Sequence, residues 1–313
     1  MLIFSPRLWF SAALLGFAAP AITAPKIGVL LKGRTAFWTA AEKGALKAGG
    51  KLGAEIVVKA PLGEGDVSVQ IQMLNALVAD GVAAIVIAPC SREALSAPLA
   101  AVEAKGIKVV VIDSPLNDSA HRPFVAADNL AVGQAAGQLL AKWIKETDDV
   151  CILRHSQSSG AAKEREKGAY DTLRSTFPKL PLHAEIFASA QEGAEAQKVR
   201  FMLTTYPQIK AVFVSSTVAT MAVLHVLAEE KRNGEIKVVG CGFNLNPEVA
   251  TAIEAGRLHG WIAQFPQEMS ALGVAAAIDL LAGKKPPAFI PVPYLIVTQE
   301  NLKTPEAQAL LAL

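Results

Sequence analysis

At 313 residues the chain is long enough for two domains of ordinary size, each with its own core. Hydrophobic residues make up 52% and charged residues 19%, which excludes a disordered chain. Against 28 Asp+Glu stand 30 Lys+Arg with no clustered basic run, so nucleic acid is excluded as a partner class, and a mean hydropathy of +0.34 comes from Ala and Val dispersed in short runs.

The N-terminus is the one apolar stretch outside that pattern. Residues Met1 to Ala24 carry a single charge, Arg7, then an apolar block from Leu8 to Ala19, then small residues, which is the layout of a secretory signal. Cleavage is expected after Ala21, through Ala19-Pro20-Ala21, or after Ala24. The block falls short of the roughly 20 residues that span a bilayer, and no Cys follows it to take a lipid. The expectation is an exported, periplasmic monomer with no stable membrane insertion.

From Ile27 onward short β-rich runs alternate with amphipathic stretches of helical length. Strands are predicted at Ile27 to Leu31, Glu55 to Lys59, Ala84 to Ala88, Lys108 to Asp113, Val150 to Leu153, Ala211 to Val214, Lys237 to Gly240 and Gly260 to Gln264. Helices are predicted between them at Phe37 to Gly53, Val67 to Asp80, Arg92 to Lys105, Leu130 to Glu146, Lys163 to Thr176, Glu192 to Tyr206, Val218 to Lys231 and Pro247 to Gly256. Apolar runs joined by helices imply parallel sheets covered on both faces. The unit Ala84-Ile85-Val86-Ile87-Ala88, helix, Gly106-Ile107-Lys108-Val109-Val110 recurs as Ala211-Val212-Phe213-Val214-Ser215, helix, Gly234-Glu235-Ile236-Lys237-Val238-Val239, which points to two similar lobes.

The three cysteines, Cys90, Cys151 and Cys241, adjoin or lie in apolar runs without metal spacing, and read as small buried residues. An odd count leaves at least one thiol unpaired in an oxidising compartment. The histidines, His121, His155, His183, His225 and His259, show no helical zinc spacing; no G-x-S-x-G elbow exists, and Gly240-Cys241-Gly242 lacks the third glycine of a dinucleotide turn. Neither an enzyme nor a cofactor is expected.

Several landmarks fall in order along the chain. The first strand runs into Phe37-Trp38; Ala88-Pro89 closes the third strand; Val109-Val110-Val111-Ile112-Asp113 forms the fourth; Ala127-Asp128-Asn129 precedes a helix with Gly133 and Gly137; Arg165-Glu166-Lys167-Gly168 opens a helix after a Ser/Gly loop; Tyr294-Leu295-Ile296-Val297-Thr298-Gln299-Glu300-Asn301 closes the chain. In this order the chain resembles the type I periplasmic solute-binding proteins of the ribose-binding kind, over essentially all of its mature length.

The resemblance implies an α/β fold of two doubly wound parallel-sheet lobes joined by a three-strand hinge. It divides the chain into an N-terminal lobe of residues 25–126 plus 266–292 and a C-terminal lobe of residues 129–263 plus 295–313, with crossings near Ala127-Asp128, Gln264-Phe265 and Val292 to Leu295.

Ligands collect beyond the carboxyl ends of strands in such sheets, so the residues there are the candidates. After the first strand come Lys32, Arg34, Phe37 and Trp38. Adjacent helical positions diverge by about 100°, so one aromatic is expected in the core and the other toward the cleft, where a flat face suits a sugar ring or cages a cation. Asp113 stands where the family places a carboxylate that accepts ligand hydroxyls; the alternative is a cap on the Ser114-Pro115 turn. Arg165 matches the family's binding arginine, three residues before Gly168, or else belongs to a solvated helix face. Gln264 matches the hinge glutamine, able to donate and accept at once.

Departures from the pattern bear on the ligand. The family's arginine after the fourth-strand aspartate is Ser114 here; its asparagine after the Ala211 to Val214 strand corresponds to Ser216; its aspartate after the Lys237 to Gly240 strand falls on Gly242. Asn244 and Trp261 are candidates for compensating contacts. Fewer polar anchors suit a ligand with fewer hydroxyls, or one with an apolar or quaternary group, and make ribose itself doubtful. The resemblance implies the extracytoplasmic solute-binding component of an ABC importer, its partners a small sugar-like solute and a permease. The alternative is a ligand-sensing protein acting with a membrane sensor kinase on a methylamine oxide or other non-sugar ligand.

Overall fold

The computed structural model describes residues 24–118, 121–155, 157–184, 186–188, 194–243 and 245–311. The expected leader lies outside the described residues except for Ala24, as does Asn244. The chain begins with strand β1 (Lys26–Leu30), helix α1 (Ala36–Leu52), β2 (Glu55–Lys59), α2 (Val67–Ala79), β3 (Ala84–Ile87), α3 (Ser96–Glu103), β4 (Lys108–Ile112) and β5 (Phe124–Ala126). It continues through α4 (Asn129–Ala141), β6 (Val150–Leu153), α5 (Gly160–Thr176), β7 (Leu182–His183), α6 (Glu195–Thr205), β8 (Ala211–Val214), α7 (Thr217–Glu229), β9 (Lys237–Phe243), α8 (Pro247–Glu254) and β10 (Gly260–Gln264). Last come α9 (Pro266–Leu281), β11 (Phe289–Pro291), β12 (Tyr294–Val297) and α10 (Pro305–Leu311).

Two sheets result, with strand orders β11-β5-β4-β3-β1-β2 and β12-β10-β9-β8-β6-β7. In each, alternate side chains of a strand enter different cores, because the side-chain period of a strand is two. Val86, Val110 and Ile112 pack with α1 and α9, while Ile85, Ile87, Val109 and Val111 pack with Leu74, Leu77 and Leu99 on the opposite face. In the second sheet Leu153, Val212 and Val214 meet Val223 and Leu227, and Ile152, Phe213 and Val239 meet Leu139, Leu140 and Leu173. Burial on both faces is why these strands read as continuous apolar runs.

The chain passes from the first sheet to the second between Ala126 and Asn129, returns between Gln264 and Pro266, and passes over again between Pro291 and Tyr294. The sheets are parallel as expected except at one edge, where β12 pairs antiparallel with β10. Only Val292 and Pro293 separate β11 from β12, so the chain runs directly from the edge of one sheet to the edge of the other.

Other differences concern lengths and short elements. Strand β9 runs three residues past its predicted end at Gly240 and carries Gly242 and Phe243 into the sheet. Residues 92–95 form turns, so α3 starts at Ser96, and α4 stops at Ala141. Helix α9, which the sequence reading did not assign, packs on α1 and covers β3 and β4.

Helices α4 and α5 approach until their backbones touch. A Cβ on Gly133 would lie 1.9 Å from the Arg165 carbonyl oxygen, and one on Gly168 would lie 2.3 Å from that of Leu130. No residue but glycine permits this contact, and it fixes the height of Arg165 relative to the start of α4.

Candidate functional site

The carboxyl ends of strands from both sheets enclose a cavity of about 180 Å³. From the first sheet it is lined by Lys32, Phe37, Trp38, Glu64 and Asp113, and from the second by Arg165, Ser216, Val218, Phe243 and the hinge residue Gln264. Seven sequence candidates, Lys32, Phe37, Trp38, Asp113, Arg165, Ser216 and Gln264, thus meet at one place; another, Asn244, lies outside the described residues.

Asp113 follows the last residue of β4 with φ +64°, a left-handed conformation that Asp tolerates better than most residues, and this turns the chain at the cavity wall. Its Oδ2 is 2.5 Å from Lys32 Nζ and accepts from Ser114 Oγ at 2.9 Å. Lys32 is only 3% exposed, so this ion pair is buried. Where the family pattern has an arginine after the aspartate, this chain has Ser114 and brings the cation from the end of β1 instead. Oδ1 of Asp113 takes no hydrogen bond among the described residues and remains an acceptor for a solute.

Arg165 stands on the buried face of α5, not on the solvated face that its charged neighbours Lys163, Glu164 and Lys167 suggested as the alternative. Its Nη1 donates to Asn129 Oδ1 at 3.2 Å, while Nε is buried with no hydrogen-bond partner among the described residues. The Asn129 amide also donates to the Asp113 carbonyl at 3.3 Å, joining the two walls through the first crossing. Ser216 Oγ is likewise buried and unpartnered. A buried polar atom without a partner costs stability, and both residues line the cavity. Gln264, 8% exposed at the end of β10, has no side-chain hydrogen bond among the described residues.

The adjacent Glu166 has a different task. It accepts from Arg154 Nε at 2.7 Å, the His155 amide at 2.8 Å and Ser215 Oγ at 2.9 Å, and so ties the ends of β6 and β8 to α5.

Both aromatics line the cavity and pack on the first core, Trp38 the more deeply. Trp38 is 3% exposed and packs in the first core, although its edge reaches the cavity; Phe37 is half-buried and meets Phe243 of the other sheet edge-on at 6.3 Å. Trp38 Nε1 donates at 2.6 Å to Glu64 Oε1. Glu64 Oε2 in turn lies 3.5 Å from His155 Nε2 across the cleft. Burial alone would raise the Glu64 carboxyl, but the His155 bond and charge, the Lys32 charge and the Trp38 N–H outweigh it and hold the carboxyl below its ordinary range. Two further links join the walls: the Ala161 amide at the start of α5 donates to Ser114 Oγ at 3.2 Å, and Arg92 pairs with Glu164 at 3.5 Å.

Trp261 does not supply the compensating contact considered for it. It is fully buried in the second core, packed beneath Gly240 and Gly242. Arg34 also falls outside the cavity and pairs with Glu42 at 3.3 Å. Sequence reasoning missed Glu64, His155, Val218, Phe243 and Asn246. Glu64 follows β2 and His155 follows β6, so applying the strand-end rule to every strand would have found both. Asn246 was marked by its Asn-Pro step, and it caps α8 by accepting from the Val249 amide at 2.8 Å. Among the described residues no cluster of three or more His, Cys, Asp or Glu side chains could hold a metal ion, and no helix is long and apolar enough to cross a membrane.

Residues 27–285 match the family described as periplasmic binding protein domain. The D-allose-binding periplasmic protein of Escherichia coli strain K12 is 27% identical over 314 residues, which cover 93% of this chain and 98% of that protein. Among solved structures, a carbohydrate transporter solute binding protein from Agrobacterium radiobacter in complex with D-arabinose superposes with a TM-score of 0.85 at 28% identity, covering 93% of this chain and all of the other. An ABC transporter solute binding protein from Agrobacterium vitis with bound D-fucose gives 0.84 at 25% identity, covering 91% and 99%.

Proposed function

The chain belongs to the periplasmic binding protein domain family, and on that premise we propose that it is the sugar-binding component of an ABC importer, holding one small sugar in the cavity between its lobes. The observation that carries the reading is that one cavity is lined by Arg165 and Ser216, each with a buried polar atom unpartnered among the described residues, and by Asp113, whose Oδ1 takes no hydrogen bond among them, and Gln264. These groups suit the mixed donors and acceptors of sugar hydroxyls, and Phe37 and Trp38 supply flat apolar surface for the C–H face of a ring. The similar proteins carry D-allose, D-arabinose and D-fucose in their names, all small monosaccharides.

In this reading the mature protein works in the periplasm, closes on the sugar and offers the closed form to a membrane permease. It binds without catalysing a reaction. Ligand drives closure only through its greater affinity for the closed form. The transporter relatives favour import over the sensing role with a kinase.

A thermal-shift screen of monosaccharides, polyols and methylamines tests the reading. A sugar at a hundredfold excess over its Kd adds about 2.7 kcal/mol of stability. Stabilisation by methylamines alone, with every sugar inert, would replace the importer reading with the sensing one.

A further inference from the structure

The two halves of the cavity differ in chemistry. Around Asp113 and Arg165 they present charged and hydrogen-bonding groups, whereas the ends of β8 and β9 present Val218, Phe243 and, from across the cleft, Phe37. At that end the hydroxyls of Ser215 and Thr217 each already have a partner in the protein. Ser215 Oγ donates to Glu166 at 2.9 Å, and Thr217 Oγ1 accepts from the Phe243 amide at 3.2 Å. Ser216 Oγ is the one side-chain polar atom of residues 215–218 with no hydrogen bond among the described residues.

This apolar end is built into the packing. A Cβ placed on Gly242 would lie 1.9 Å from Thr217 Oγ1 and 2.9 Å from the buried Trp261 ring. No acidic or amide side chain can therefore stand on Gly242 to satisfy a ligand hydroxyl, and the tie between Thr217 and Phe243 holds the aromatic ring over the gap. A hydroxyl pushed against the side chains of Phe37, Val218 and Phe243 would lose water and gain no partner from them, while a methyl or methylene group would lose nothing.

We infer that the transported solute is a deoxy sugar, a pyranose with a methyl or methylene group where its parent carries a hydroxyl, and that this group lies between Phe37, Val218 and Phe243. The inference rests on the sugar-binding reading and adds the substrate class to it. Discrimination by an apolar subsite against an added hydroxyl is moderate, roughly 10- to 100-fold.

Calorimetric titration of the mature protein with matched pairs tests it: D-fucose against D-galactose, L-fucose against L-galactose, and L-rhamnose against L-mannose. The expected result is at least one pair in which the deoxy member binds ten times tighter or more. Val218→Thr keeps the shape of the side chain and adds a hydroxyl at a position 45% exposed, so folding is preserved, and it should shrink that preference at least threefold. Parents that bind as tightly as their deoxy partners overturn the inference and leave the sugar reading standing. A preference unmoved by Val218→Thr places the methyl group elsewhere and overturns the subsite. Failure of every sugar to bind overturns both.

Discussion

Asn129 holds Arg165 by the guanidinium, Nη1 to Oδ1 at 3.2 Å, from the first residue of α4, where the chain has just left the first sheet. The cation that faces the cavity from the second lobe is therefore aimed by a residue of the crossing. Replacing Arg165 by Ala should weaken the solute by about 1.5–3 kcal/mol, the worth of a charged hydrogen bond, with little change in thermal stability. Asn129→Ala should cost a smaller part of that affinity although it frees Arg165 rather than removing it. Calorimetry on both variants separates aiming from contact; unchanged affinity in Arg165→Ala would take this residue out of the site.

Removing Lys32 exposes a different dependence. With its amine gone, the Asp113 carboxylate stays buried beside Ser114 without its counter-charge, and breaking such a pair from one side costs about 3–5 kcal/mol. Lys32→Met should lower Tm accordingly, and adding Asp113→Asn should recover most of the loss, because Asn also tolerates the left-handed backbone at this position. Denaturant titration of the single and double variants reads the difference; a double variant no better than Lys32→Met would mean that the lysine contributes packing rather than charge.

The Glu64–His155 pair crosses the cleft, and the direction of its pH dependence follows from Glu64. Its carboxyl is held below the ordinary range in this state, so its contribution is complete above that range and is lost as pH falls through the lowered value. Solute affinity should weaken at the acid end and be restored on return to neutral pH. Glu64→Gln should cost about 1 kcal/mol of affinity at neutral pH and flatten the acid limb, since partly exposed pairs are worth little more. A variant with the wild-type acid limb would assign that limb to other carboxylates.

Away from the site, His259 packs against Trp143, with Lys237 Nζ 3.1 Å from its Nε2 and the Val238 amide 3.3 Å from its Nδ1. Burial first, then the Lys237 charge, push it down to about 4, because a proton gained there meets donors on both sides. A base depressed in the folded state binds its proton more readily when unfolded, so stability falls as pH drops from about 6.5 toward 4. Screening of the half-exposed ring leaves an effect of about 1 kcal/mol. His259→Gln should reduce that slope between pH 6.5 and 4 in thermal unfolding, and a slope unchanged by the substitution would refute the assignment.

The sequence made some of this legible and concealed the rest for physical reasons. Runs such as Ala84–Ile87 and Ala211–Val214 are buried on both faces and announce themselves. Strands β5, β7 and β11 span two or three residues and exist only through distant partners, as Phe124 through Val111 and Phe289, so no local pattern marks them. The landmark glycines Gly133 and Gly168 were visible as residues, but their use, the touching backbones that place Arg165, becomes visible only in three dimensions. Lys32 was found by position, whereas its role in place of an arginine beside Asp113 needed the pairing of β1 with β3 and of β3 with β4 to bring both strand ends together.

Neither sheet is finished by a contiguous stretch of chain. The first waits for α9 and β11, made only after the whole of the second sheet through β10, and the second waits for β12. While the polypeptide is being synthesised, the apolar face of β3 and β4 that α9 will cover stays open, and the sequence separation of these contacts slows their formation. The growing chain therefore remains unfinished until residues 266–297 are available, and a truncation before Pro266 would expose one edge of each sheet at once, leaving unpaired strands free to join those of other molecules.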